Sequence, residues 1–146
     1  MIRILFLCMG NICRSPAAHC VFQNMVNQAN LTDQFFIDSA GTIEFHKGSE
    51  PDSRMQDAMR KRKIPIIGRS RQITKSDLDD FDLILAMDNA NLKDALALDR
   101  RSEWHDNVNC FAEYCADPTV GEIPDPYYGY NNGFETVIDL IDEGCQ

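Results

Sequence analysis

A cysteine and an arginine flank a five-residue turn directly after the first apolar run of the sequence. Cys8 ends the run that begins at Ile2, and Arg14, Ser15 and Pro16 follow the turn. Pro16 suits the first turn of a helix, where its missing N–H costs nothing. Free N–H groups at a helix start bind phosphate, and a thiolate placed there can attack phosphorus. The segment predicts a phosphate-binding loop with Cys8 as nucleophile; the alternative is a structural cysteine beside an ordinary helix cap.

The residue types of this loop suit phosphate chemistry. Gly10 permits unusual backbone angles, and the planar guanidinium of Arg14 matches two phosphate oxygens. Positive surroundings favour the thiolate form of Cys8, and Ser15 is close enough in sequence to donate a hydrogen bond to its sulfur. The predicted phosphate-binding residues are Met9, Gly10, Asn11, Ile12, Cys13, Arg14 and Ser15.

A long Pro- and Gly-rich segment near the C-terminus contains the best candidate for a general acid. Asp125 stands between Pro124 and Pro126, which restrict its backbone and would hold the carboxyl group in a defined direction. Tyr127 and Tyr128 add flat apolar surface suited to an aromatic leaving group. The alternative interpretation is a surface turn with exposed tyrosines.

Apolar runs alternate with helical patterns along the whole chain. Strands are predicted at Ile2–Leu7, Phe35–Ile37, Leu83–Met87 and Val108–Ala112. Helical spacing follows each of them, with predicted caps at Thr74–Asp77 and Asn132–Glu135. A helix after the second strand is predicted to turn Met55, Ala58 and Met59 inward, and another helix is predicted at Asn91–Leu98. The alternation, without repeats or linkers, predicts one α/β domain of residues 1–146, with a four-stranded parallel sheet and helices on both faces in three layers. Ligands bind beyond the carboxyl ends of such strands, where Cys8 falls.

Charge and composition restrict the partners. The net charge of −9 argues against nucleic acid or an anionic membrane as the main partner. The basic run Arg60–Lys63 is explained by its place near the end of a predicted helix. No apolar span is long enough to cross a membrane, and the N-terminal apolar run is too short for a signal peptide. We expect a cytoplasmic protein whose six cysteines are reduced.

Essentially end to end, the chain resembles the low-molecular-weight protein tyrosine phosphatases. The resemblance rests on Cys8–Pro16 and Asp125–Gly129, and the segments Asp38–Ala40 and Arg71–Lys75 follow in the expected order. It implies a flavodoxin-like fold and phosphotyrosine-containing proteins or peptides as substrates. It also implies a cysteinyl-phosphate mechanism that needs no metal and no cofactor.

The resemblance assigns roles to individual residues. Cys8 would attack phosphorus, and Arg14 with the loop N–H groups would stabilise the charge of transfer. Asp125 would protonate the phenolate and then activate water. A hydrogen-bond network of Asn11, Ser15 and Ser39 would support the loop.

Further residues match variable or regulatory positions of the family. Phe45 would form one wall of the substrate pocket, opposite Tyr127 and Tyr128. Cys13 matches a thiol that can form a disulfide with the nucleophile, although a buried packing role is an equal alternative. The chain also departs from the pattern, because Gly68 stands where many relatives carry a histidine joined to the loop network. That departure predicts a less rigid loop.

Three rival chemistries each match part of the sequence. Cys8 with Cys13, and Cys110 with Cys115, share one spacing that could suggest a four-thiolate zinc site, but a neighbouring arginine opposes cation binding. Arsenate reduction would need additional cysteines after the middle of the chain, and residues 83–106 contain none. Phosphoarginine hydrolysis is disfavoured because relatives with that activity tend to carry threonine where this chain has Ile12.

A phosphotyrosine-binding module without turnover is the alternative from another class. Nothing in the sequence demands it, since a nucleophile, an arginine and an acid are all present. The sequence does not predict an oligomeric state.

Overall fold

The structure, a computed structural model, describes residues 1–43, 47–98, 108–114, 123 and 132–145. Four parallel strands form one sheet in the order β2-β1-β3-β4. The strands are β1 (Ile2–Cys8), β2 (Phe35–Gly41), β3 (Leu83–Ala86) and β4 (Val108–Cys110). Five α-helices belong to the described residues: α1 (Arg14–Gln28), α2 (Ser53–Lys61), α3 (Lys75–Asp80), α4 (Asn89–Leu96) and α5 (Asn132–Cys145). The predicted α/β fold with a four-stranded parallel sheet is confirmed.

The alternation of side chains along β1 produces the three layers. Ile4, Phe6 and Cys8 face a core that includes residues of α1, α2 and α5. Leu5 and Leu7 face a second core that contains residues of α3 and α4. Since successive side chains of a strand point to opposite faces, one continuous apolar strand serves both cores. Cys8 thus reaches the carboxyl edge of the sheet on the side covered by α1.

The predicted ends of β1 and β3 differ from the structure by one residue each, and those of β2 and β4 differ by more. β2 continues past Ile37 to Gly41, because its backbone pairs with β1 as far as the Cys8–Gly41 position. Asp38 and Ser39 therefore lie inside β2 although they are polar. An apolar pattern does not predict a strand at such residues. β4 ends at Cys110, two residues earlier than predicted, and a short 3-10 helix follows at Phe111–Tyr114.

The predicted helices agree with the structure more closely than the predicted strand ends, because helix caps and helical spacing are local features of the sequence. Met55, Ala58 and Met59 are buried on α2 as predicted. The predicted cap at the start of α3 is present, and Thr74 and Asp77 form it as a capping box. α4 begins two residues before the predicted Asn91, because Asp88 accepts a hydrogen bond from the Asn91 N–H and caps the helix. Within the described parts of the chain, no helix is long and apolar enough to span a bilayer.

Candidate active site

The loop between β1 and α1 turns its carbonyl oxygens outward. The Met9 oxygen accepts from the Ile43 N–H at 3.1 Å, and the Ile12 oxygen accepts from the Asp52 N–H at 2.7 Å. The Gly10 oxygen accepts from the Ser70 hydroxyl at 3.0 Å. In a trans peptide the C=O and the following N–H point in opposite directions. The surrounding segments therefore direct N–H groups of the loop toward its interior, as an anion cradle requires.

Cys8 lies at the floor of this cradle and is buried. The Asn11 N–H donates to Cys8 Sγ at 3.3 Å, and Ser15 Oγ lies 3.0 Å from the same sulfur. The Ser15 hydroxyl also lies 3.3 Å from the Ala40 carbonyl oxygen, so its proton has two acceptors within reach. Donors directed at sulfur stabilise a thiolate, which is the nucleophilic form.

Asn11 connects the loop to three other segments. Its φ of 56° lies in the left-handed region, which asparagine tolerates better than most residues. Its Nδ2 donates to Ser15 Oγ at 2.8 Å and to Ser39 Oγ at 3.0 Å. Its Oδ1 accepts from the Arg71 N–H at 3.0 Å. The structure thus brings Asn11, Ser15 and Ser39 together around the loop.

Arg14 is held by partners that the sequence did not reveal. Its side chain is 3 % exposed, and Nη1 donates to Asp88 Oδ2 at 2.7 Å. The same nitrogen donates to the Ile123 carbonyl at 3.0 Å. A guanidinium is rigid and planar, so anchoring one nitrogen orients the whole fork. The one sequence signal for Asp88 is its place just beyond the carboxyl end of β3, at the edge where Cys8 ends β1.

Arg71 holds the backbone segment that contacts Asn11. Its Nε donates to Asp38 Oδ2 at 3.0 Å, and its Nη1 donates to Asp77 Oδ2 at 2.9 Å. Partial burial would raise the pKa of Asp77, but hydrogen bonds from Arg71 and Thr74 outweigh it and hold that pKa below its ordinary value. These ion pairs hold the Arg71 side chain in place, and the Arg71 backbone N–H donates to Asn11.

Gly41 is a further residue of the site that sequence reasoning missed. A Cβ at this position would lie 2.6 Å from the Met9 carbonyl oxygen, which is backbone and cannot move aside alone. The end of β2 therefore approaches the loop closely only because residue 41 is glycine.

Comparison with known proteins places this geometry in a family. The sequence model of the low molecular weight phosphotyrosine protein phosphatases matches residues 3–146. The chain belongs to this family. The human low molecular weight phosphotyrosine protein phosphatase is 42 % identical over 146 residues, which cover 98 % of this chain and 90 % of the human protein. The expected family is confirmed, and with it the class of enzyme, a hydrolase of phosphoric monoesters.

Solved structures agree with this membership of the phosphotyrosine phosphatases. A protein tyrosine phosphatase from Entamoeba histolytica, with Hepes in its active site, gives a TM-score of 0.92 at 37 % identity, covering 99 % of this chain and 92 % of its own. A Drosophila arginine phosphatase gives a TM-score of 0.90 at 30 % identity, covering 99 % of this chain and 93 % of its own. The fold is therefore shared by relatives named for two different phosphorylated residues.

The position where many family members carry a histidine is filled differently here. Gly68 has a φ of 83°, and a Cβ on it would lie 3.3 Å from Nδ1 of His19, a residue of α1. His19 is 6 % exposed, and its Nδ1 has no hydrogen-bond partner among the described residues. Burial lowers the pKa of His19, opposed only in part by Asp38 and by a hydrogen bond to the backbone of Ile37. The imidazole of His19 on α1 thus lies beside Gly68.

Several predicted site residues lie outside the described part of the chain. They are Phe45, Asp125, Tyr127, Tyr128 and, for the zinc alternative, Cys115. Cys13 is described: it is buried at the start of α1, and neither it nor Cys8 forms a disulfide with another described residue.

Proposed function

We propose that this phosphatase hydrolyses phosphotyrosine in proteins or peptides through a phosphocysteine intermediate at Cys8. The observation that carries the proposal is the set of hydrogen-bond donors around the Cys8 sulfur. Cys8 Sγ lies in a buried cradle within hydrogen-bond distance of the Asn11 N–H and the Ser15 hydroxyl, at the start of α1. Such donors favour a thiolate, and the same cradle binds the phosphoryl group that the thiolate attacks.

The reaction proceeds in two transfers. The Cys8 thiolate forms an S–P bond while the P–O bond to the tyrosine oxygen breaks, and Asp125 gives its proton to that oxygen. Water then attacks phosphorus, Asp125 takes a proton from it, and the S–P bond breaks to return the thiolate and inorganic phosphate. Arg14 and the loop N–H groups stabilise the charge on the transferred oxygens in both steps. Neither a metal nor another cofactor takes part in this mechanism.

Support for Asp125 as the acid comes from a neighbouring backbone. Ile123, two residues earlier in the sequence, accepts from Arg14 at its carbonyl and donates to the Met87 carbonyl at 2.8 Å. The backbone two residues before Asp125 is therefore tied to Arg14, the arginine proposed to bind phosphate. We propose Phe45, Tyr127 and Tyr128 as the walls that receive the aromatic ring of the substrate.

A reversible oxidation of the nucleophile is proposed through Cys13. Peroxide would convert the Cys8 thiolate to a sulfenic acid, and the Cys13 thiol would displace water from it to form a disulfide. Support comes from the positions of the two cysteines, one at each end of the loop between β1 and α1. A Cys8–Cys13 link in the mass spectrum after brief peroxide treatment, reversed by reductant together with activity, is expected. Recovery of activity without that link would contradict the proposal.

We also propose that residues 1–146 act as a single domain in the cytoplasm, with neither nucleic acid nor a membrane as partner. The net charge of −9 supports this, as do the thiols of Cys8, Cys13, Cys20, Cys110 and Cys145, which form no disulfide among the described residues.

Phosphoarginine is the second candidate substrate. The similarity to a Drosophila arginine phosphatase favours it. Ile12, an apolar residue of the loop, favours phosphotyrosine instead. Parallel hydrolysis assays with a phosphotyrosine peptide and a phosphoarginine peptide decide between them, and we expect the phosphotyrosine peptide to be turned over faster.

The decisive experiment compares the wild type with Cys8→Ser and Cys145→Ser. Hydrolysis of para-nitrophenyl phosphate is measured with reductant and chelator present, and Cys145→Ser controls for loss of a thiol on α5. We expect turnover in the wild type and in the control, and none in Cys8→Ser. An active Cys8→Ser variant would exclude the proposed nucleophile. An inactive wild type that still binds a phosphotyrosine peptide would instead indicate the binding module.

A further inference from the structure

Ser70 reaches the phosphate-binding loop from a position 60 residues further along the chain. Its hydroxyl donates to the Gly10 carbonyl at 3.0 Å, and the residue is 4 % exposed. Its own backbone is held on both sides: the Ser70 N–H donates to the Ser49 oxygen, and the Ser70 oxygen accepts from the Gly48 N–H, each at 2.8 Å. The hydroxyl is therefore presented from a rigid support.

The bond from Ser70 acts on the peptide group that faces the nucleophile. The Gly10 carbonyl and the Asn11 N–H belong to one planar trans peptide, so their directions are opposite. Ser70 holds the oxygen end of this peptide, and Cys8 Sγ accepts from the N–H end at 3.3 Å. Rotation of the peptide would break both hydrogen bonds together.

The Gly10 carbonyl differs from those of Met9 and Ile12. The oxygens of Met9 and Ile12 accept from backbone N–H groups, whereas the Gly10 oxygen accepts from a side chain. A hydrogen bond accepted at a carbonyl also polarises the amide and strengthens the N–H as a donor. The hydroxyl of residue 70 thus has two effects on the sulfur, one geometric and one electronic.

We propose that Ser70 is a positioning residue that sets the protonation and reactivity of the Cys8 thiol through the Gly10–Asn11 peptide. The proposal rests on the proposed role of Cys8 as nucleophile. Gly68, two residues earlier, lacks the side chain that many relatives use to brace this network, and the Ser70 hydroxyl supplies a brace from the same segment.

Charged and titratable groups surround the loop on several sides. Among the described residues they are Arg14 and His19 from α1, Asp38 from β2, Arg71 from the segment after Ser70, and Asp88 after β3. None of them accepts from or donates to the Ser70 side chain in the described hydrogen bonds. Substitution of Ser70 therefore changes the hydrogen bond to Gly10 while these charges stay in place.

The test is the rate at which iodoacetamide alkylates Cys8 as a function of pH, followed at the Cys8 peptide by mass spectrometry. Ser70→Ala removes the hydroxyl, and Ser76→Ala, at an exposed position of α3, is the matched control. We expect the midpoint of the profile to rise by about half a pH unit in Ser70→Ala, as the loss of one hydrogen bond predicts. The alkylation profile of the Ser76→Ala control should coincide with that of the wild type. In the phosphatase assay, we expect kcat to fall in Ser70→Ala with little change in KM.

Two further variants keep the test decisive if Ser70→Ala unfolds. Ser70→Thr and Ser70→Val have nearly the same shape, and only threonine retains the hydroxyl. We expect the threonine variant to keep the wild-type midpoint and the valine variant to raise it. Equal midpoints in the two variants, or a wild-type midpoint in a folded Ser70→Ala, would overturn the proposal. Alkylation needs no turnover, so a failure of the phosphatase assay alone would not be confused with a failure of this inference.

Discussion

Arg14 Nη1 lies 2.7 Å from Asp88 Oδ2, so the arginine at the start of α1 is paired with the residue that caps α4. Asp88 Oδ1 accepts from the Asn91 N–H at 2.8 Å, and its other oxygen accepts from Arg14. One carboxylate thus serves both a helix terminus and the arginine proposed to bind phosphate. The orientation of that guanidinium therefore depends on where α4 begins.

Asp88→Asn separates these two roles. Asparagine is as good an N-cap as aspartate, but it removes the charge that holds Arg14. We expect kcat/KM for para-nitrophenyl phosphate to fall about tenfold, which corresponds to ~1.4 kcal/mol, with a small change in melting temperature. Asp94→Asn, an exposed position on the same helix, is the control. A wild-type kcat/KM in Asp88→Asn would show that Arg14 is oriented without the ion pair.

Asp125→Asn tests the general acid by leaving-group dependence. An amide cannot supply the proton, and a positioned general acid contributes about 10²–10⁴ in rate. We expect a loss of that size with phenyl phosphate and a much smaller one with para-nitrophenyl phosphate, whose phenolate leaves without protonation. Binding of inorganic phosphate should be nearly unchanged. Equal losses for both substrates would count against Asp125 as the acid.

His19 predicts a dependence of stability on pH. Burial lowers the pKa of His19 in the folded protein, so below the ordinary value of 6.5 the unfolded chain binds more protons than the folded one. Stability is therefore fully present above that value and is lost as the pH falls. Asp52 and Asp77 also have lowered pKa values, but their contribution is lost only as the pH falls below their ordinary value of 3.8.

The measurement is the free energy of unfolding by urea at about pH 7.5 and about pH 5.5, on either side of the ordinary histidine pKa. His19→Gln keeps a side-chain amide in place of the imidazole and cannot titrate. We expect the wild type to lose more stability than His19→Gln between the two pH values. The same loss in both proteins would mean that His19 is protonated in the fold as readily as in the unfolded chain.

Gly68→Ala tests the packing of His19 against the glycine. Gly68 and Gly48 share a φ of 83°, but only at Gly68 would the added Cβ meet another side chain, at 3.3 Å from His19 Nδ1. The left-handed backbone alone costs a non-glycine residue about 1–2 kcal/mol. We expect Gly48→Ala to lose about that much stability and Gly68→Ala to lose more, measured by urea unfolding. Equal losses would show that the His19 ring moves aside without cost.

Prediction from sequence succeeded where the signal was local. The apolar run of β1, the turn and the helix start at Arg14 are contiguous, and Cys8, Asn11 and Ser15 meet within this single stretch. It was less successful for β2, which was predicted to end at Ile37. Its last residues are polar because they support the loop, so their strand conformation follows from pairing with β1 rather than from an apolar pattern.

The sequence by itself determined the nucleophile loop, the parallel α/β class and the family, because each follows from the order of residues along the chain. The tertiary structure decided what holds the loop. Asp88, Ser70 and Arg71 reach it from 74, 60 and 60 residues away. It also decided that His19 packs against the glycine that replaces a family histidine. Such contacts depend on the strand order β2-β1-β3-β4, which brings the carboxyl ends of distant strands to one edge, and no spacing in the sequence encodes them.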